Sequence, residues 1–166
     1  MRKISCILSL CILITGSYFL FSQEFTYVGA AKCMTCHKAE KLGQQYLIWQ
    51  GSKHSQAFEE LKTESAMETA KKRELDKHPT ESPDCLKCHS PLYEKDPERV
   101  AEGVTCEVCH GPGSAYKKMS VMKSREESVK NGLIVYESAE AIKTLCLKCH
   151  TGEHFEFESA WEKIKH

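Results

Sequence analysis

Gly103-Val-Thr-Cys106-Glu-Val-Cys109-His110-Gly-Pro-Gly-Ser114 joins a Cys-x-x-Cys-His run to the sharpest turn signal in the chain, two glycines flanking a proline. The run recurs as Cys33-Met-Thr-Cys36-His37, Cys85-Leu-Lys-Cys88-His89 and Cys146-Leu-Lys-Cys149-His150, so eight of the ten cysteines are used in four copies. A two-residue spacer on a helical turn brings both thiols to one edge of a flat macrocycle, where they can add across its two vinyl groups. The next residue, a histidine, then lies under the ring and offers a nitrogen to the iron. The four copies therefore predict four haems c, attached through Cys33, Cys36, Cys85, Cys88, Cys106, Cys109, Cys146 and Cys149, with His37, His89, His110 and His150 as proximal iron ligands.

Zinc ribbons and redox-active dithiols also use paired cysteines. Neither accounts for the histidines: with 8 His in 166 residues, chance would place one after all four pairs with a frequency on the order of five in a million. A disulfide framework is disfavoured for the same reason.

The chain opens with Met1-Arg2-Lys3, followed by eighteen uncharged residues, 4–21. Residues 1–22 read as a signal peptide or an N-terminal membrane anchor, with the basic residues staying inside. Cys6 and Cys11 lie in this segment as apolar filler. Residues 23–166 then form one tetrahaem domain delivered to the periplasm, soluble or tethered. Haem attachment and oxidising compartments go together, so the export signal and the motifs agree.

The 23 basic and 23 acidic residues balance. Loss of Arg2 and Lys3 with the leader leaves a net of −2, and the propionates of four ferric haems bring it to about −6. This excludes a nucleic-acid partner and favours redox partner proteins with basic faces. So many macrocycles on about 144 residues must supply much of the core, so the apoprotein is expected to be largely unfolded.

Hydrophobic spacing predicts a mostly α protein with long loops. Helices are expected over residues 38–50, with Leu42, Tyr46 and Trp49 on one face, and over 55–75, with Ser52 as N-cap after the Gly51 break. A third is expected over 114–130, ended by Asn131-Gly132, and a last over 158–165. Pro79, Pro83, Pro91 and Pro97 mark loops around the second motif. The apolar run Leu133-Ile-Val-Tyr136 is too short to establish a sheet.

Tyr27-Val-Gly-Ala-Ala-Lys-Cys33, Trp49-x-x-Ser52-x-His54-x-x-Ala57-Phe58 and Glu102-Gly-Val-x-Cys-x-x-Cys-His-Gly-Pro-Gly-Ser114 together resemble the cytochrome c-554 family of tetrahaem cytochromes. The resemblance implies a helical fold with closely packed haem pairs, mainly bis-histidine iron, and periplasmic electron transfer. It also makes His54, at the family's distal-ligand spacing, the first candidate for a sixth ligand, and Trp161-x-x-Ile164-x-His166 resembles the closing segment of shorter members. His78, in the loop before the second motif, is a third candidate. His154 follows His150 too closely to reach the other face of the same haem and reads as a surface residue.

Three distal histidines for four irons leave one iron different, either open or bound by a methionine. Met119 and Met122, one helical turn apart after the Gly-Pro-Gly turn, are the available thioethers; packing against a porphyrin edge is the commoner use of methionine. The chain thus reads as an electron carrier with no separate acid-base constellation. The alternative is a haem enzyme acting on a small nitrogen or oxygen species at one five-coordinate iron.

Overall fold

A computed structural model describes residues 24–166. The leader expected at residues 1–22, with Cys6 and Cys11, lies outside the described residues. Among the described residues no helix is long and apolar enough to cross a membrane, and no strand forms.

The mostly α architecture is a string of short helices: α1 (Ala30–His37), α2 (Gln45–Gln50), α3 (Ala57–Glu60), α4 (Glu64–Lys72), α5 (Pro83–His89), α6 (Cys106–His110), α7 (Met119–Met122), α8 (Arg125–Lys130), α9 (Ala139–Cys146) and α10 (Phe157–Glu162), with 3₁₀ turns at Glu40–Leu42 and Pro97–Glu102. α1 packs on α2 and α6, while α3 packs on α5 and on the Pro97–Glu102 turn.

The helices are shorter than hydrophobic spacing predicts, and each break has a local cause. The helix expected over 38–50 is split where Gly43 and Gln44 both adopt left-handed backbone, φ 95° and 53°. The helix expected over 55–75 is split at Leu61–Thr63, because the Thr63 hydroxyl caps a new helix by accepting from Ala66 N at 3.2 Å. Ser52 is not an N-cap: its hydroxyl donates to the Trp49 carbonyl at 2.7 Å, and Gln56 precedes α3 without a side-chain cap. The helix expected over 114–130 becomes α7 and α8, with Ser124 capping α8 through Glu127 N. Asn131-Gly132 ends α8 as expected, the Asn131 amide donating to the Glu127 carbonyl at 2.8 Å. Residues 133–136 make one ladder-like bond, Ile134 N to the His110 carbonyl at 2.9 Å.

The polypeptide's own core is small. Phe58, Leu61 and Leu86 form the buried cluster, with Cys85, Tyr93 and Val100 against it, whereas Leu42, Leu47, Ile134 and Leu147 are each more than two-fifths exposed. So few buried side chains do little against a backbone ordering cost of about 1–2 kcal/mol per residue.

Polar clasps position the chain instead. Glu107, 2% exposed, accepts from Val28 N at 3.0 Å, Gly29 N at 2.8 Å and Gly113 N at 2.6 Å. Its buried carboxylate is tolerated because these backbone donors satisfy it. Glu102 accepts from Ala30 N at 2.8 Å, at the start of α1. Thr26 and Ser114 exchange two bonds, Thr26 N to the Ser114 hydroxyl and Ser114 N to the Thr26 carbonyl. The segment before the first motif is thereby tied to the third.

Candidate haem-binding sites

Three of the four Cys-x-x-Cys-His runs lie on helices, in α1, α5 and α6, and the fourth begins at the last residue of α9 and continues through the following turn. On a helix, residues three and four apart share a face, so each cysteine pair and its histidine converge. All eight thiols are half-buried and unbridged. Among the described residues no group of three or more His, Cys, Asp or Glu side chains is arranged to hold a bare metal ion.

The thiols meet between motifs. Cys33 and Cys106 are hydrogen-bonded to each other, which raises the Cys33 thiol's pKa, helped by burial, and lowers that of Cys106. Cys149 is pushed up to about 12, first by burial and then by a hydrogen bond with Cys88. Cys109 is pushed up to about 11, by burial and by Cys146 nearby. The first motif is thus beside the third, the second beside the fourth, and the third beside the fourth.

The histidines carry the clearest geometry. The rings of His54 and His150 face each other with centroids 6.0 Å apart, and those of His110 and His166 with centroids 5.9 Å apart. With metal–imidazole bonds of about 2 Å, two rings gripping one metal from opposite sides have centroids roughly 6 Å apart. Burial lowers the pKa of His54, with a further contribution from His150. It does the same for His110, reinforced by His166 and His37 and opposed by a hydrogen bond with the Ile134 backbone. Both rings are held in the neutral form that binds iron. His166 donates its Nδ1–H to the Ile164 carbonyl at 2.9 Å, which leaves the Nε2 lone pair free. The residues present therefore fit a planar iron macrocycle at the third and fourth motifs.

His54 reaches this position through its backbone. Its carbonyl accepts from Val104 N at 3.0 Å, and the Trp49 indole donates to the Val104 carbonyl at 2.8 Å. Gly103, at φ 68°, permits the approach: a Cβ there would lie 2.8 Å from the His54 carbonyl oxygen. The Glu102-Gly-Val stretch thus joins α1, Trp49 and His54 at one point.

The other two proximal histidines have different surroundings. His89 donates its Nδ1–H to the Ala57 carbonyl at 2.7 Å, and His37 bonds through Nδ1 to the Gln45 side-chain oxygen at 3.1 Å. Neither forms a ring pair with another histidine among the described residues. His78 closes its own loop instead: its Nδ1 accepts from Thr80 N at 3.2 Å and bonds the Thr80 hydroxyl at 2.7 Å. His154 is exposed. Met119 is 64% exposed, and the Met122 sulfur accepts a weak bond from the Ser128 hydroxyl at 3.9 Å.

Sequence reasoning missed Gln45, Glu102 and Glu107. The acidic pair was visible only as part of quoted motifs, and Gln45 carried no signal.

Residues 32–111, spanning the first three motifs, match the family described as cytochrome c554 and c-prime. Cytochrome c-554 of Nitrosomonas europaea is 32% identical over 105 residues, covering 58% of this chain and 43% of that protein. The chain thus spans less than half the length of this curated relative. No solved structure matches. The two matches agree with the quoted motifs: over its first three Cys-x-x-Cys-His runs the chain is similar to the cytochrome c-554 family.

Proposed function

We propose that this protein is a periplasmic multihaem c-type cytochrome that carries electrons between redox partner proteins, with four covalently bound haems c. The observation that carries the proposal is the pair of facing imidazoles, His54 with His150 and His110 with His166, each at the separation of two axial ligands on one iron. Bound haem supplies an iron that alternates between ferric and ferrous states without rearranging its ligands.

The eight motif cysteines serve as anchors and His37, His89, His110 and His150 as proximal ligands. His54 serves the fourth site and His166 the third. The approach of Cys33 to Cys106, of Cys88 to Cys149 and of Cys109 to Cys146 supports attachment points that lie close to one another. Half-buried thiols and thin apolar packing make the haems part of the core. Export by residues 1–22, cleaved or retained, places the domain where haem attachment occurs, and a net charge near −6 favours partners with basic docking faces.

Acid-acetone extraction followed by intact mass tests the reading. The expected mass is polypeptide plus four haems; bare polypeptide from a host with working attachment machinery refutes it.

A second reading is favoured by one observation: His37 and His89 face no other histidine ring among the described residues. An iron held from one side only would accept a small nitrogen or oxygen species, adding enzymatic turnover to electron transfer.

A further inference from the structure

The corner between the 3₁₀ turn Glu40–Leu42 and α2 is unusual in a way that one residue explains. Gly43 and Gln44 are consecutive left-handed residues, at φ 95°, ψ 8° and φ 53°, ψ 32°. Gln44 is one of two non-glycine residues with positive φ among those described, and such strain collects where a side chain must be aimed. The result is that Gln45, at the start of α2, folds back over α1. Its Nε2 donates to the Leu42 carbonyl, so its Oε1 is the end turned to His37 Nδ1, at 3.1 Å. A Cβ on Gly43 would come within 3.0 Å of Nε2, so the glycine provides the turn and also the room for the amide.

An amide oxygen only accepts. The His37 proton must therefore sit on Nδ1, which leaves the Nε2 lone pair for metal. The same proton placement occurs at His89, but there a backbone carbonyl does it, and no substitution of a side chain can remove it.

We propose that Gln45 is a positioning residue for the first haem site: its side-chain oxygen fixes the His37 tautomer and sets the electron density that the imidazole gives to iron. This rests on the haem reading above. Strengthening the acceptor makes the imidazole more basic and favours the ferric state; removing it favours the ferrous state.

The test uses the full-length holoprotein and two variants, Gln45→Glu and Gln45→Met, in redox titrations followed by electron paramagnetic resonance. Gln45→Glu should shift the reduction equilibrium of one haem about tenfold toward the oxidised form, 59 mV for a one-electron couple. Gln45→Met, of similar length with only a weak acceptor, should shift the same haem in the opposite direction while the other three stay in place. Shifts of the same sign, shifts spread over all four haems, or no shift overturn the proposal, since a merely structural role would not reverse sign with acceptor strength. If Gln45→Met does not mature, Gln45→Glu against the native protein decides alone, a downward shift at one haem supporting and no shift overturning. Failure of the haem reading is distinguishable, because it appears first as a native mass without four haems.

Discussion

Replacing His54 by Ala removes one of the two rings that face each other 6.0 Å apart, and leaves the backbone that places it. The His54 carbonyl keeps its bonds from Val104 N and Ala57 N, and the thioethers and His150 still hold the haem. One haem should change from low to high spin without leaving the protein, so the low-spin intensity of one haem is lost. His166→Ala should take away that of another, because His166 faces His110 and not His150. The pairing makes a sharper statement for the double variant. If the two histidines serve different irons, their effects add and the low-spin intensity of two haems disappears; if they compete for one iron, the double variant loses no more than that of one. Magnetic circular dichroism of the oxidised protein reads these fractions. Stability should fall by about 1–3 kcal/mol for His54→Ala, which removes a half-buried side chain. Unchanged spectra for either single variant, or a non-additive double variant, refute the assignment.

Cys109→Ala and His110→Ala should lower the yield of folded protein well beyond the loss of one cofactor, because the third motif touches the first and the fourth; a three-haem protein with native circular dichroism would contradict a shared core. Carbon monoxide added to the reduced protein should bind rapidly only at the first and second sites, giving at most two of four haems in the ferrous–carbonyl difference spectrum; a Met-to-iron charge-transfer band that disappears on replacing Met119 or Met122 would instead assign a thioether ligand. Glu107→Gln should destabilise the fold nearly as much as Glu107→Ala, by about 3–5 kcal/mol in guanidinium unfolding, since both carboxylate oxygens accept from backbone N–H groups and an amide turns a donor toward them. A variant within 1 kcal/mol of native would show that the clasp is dispensable.

Haem c as the cofactor was legible from spacing alone, because Cys-x-x-Cys-His is a local pattern that any helical turn satisfies, and the similarity to a c-type cytochrome supports it. The helical class was legible for the same reason, through apolar residues three and four apart. Helix lengths were not. Thr63 and Ser124 act as N-caps in the middle of apparently continuous periodicity, and Gln44 adopts a left-handed conformation that its residue type does not announce. Contacts distant in sequence were also hidden. Glu107 read as a spacer inside a motif, although it binds backbone 78 residues away at Gly29. The resemblance pointed to His54 and His166 as distal ligands, but which proximal ring each faces is a property of the folded chain. His78 bonds within its own loop through Nδ1, local geometry that its sequence position did not announce.

The facing pairs interleave along the chain. Residue 54 meets 150 and residue 110 meets 166, just as Cys33 meets Cys106 and Cys88 meets Cys149. Any cut between residues 110 and 146 severs both imidazole pairs, and any cut between 88 and 106 severs both thiol contacts. Such a weave has no seam. The described residues do not divide into one half carrying the first two motifs and another carrying the last two, and neither gene fusion nor limited proteolysis would release a self-sufficient half. Two fragments split near residue 130 could rebuild the native haem spectrum only by associating with each other.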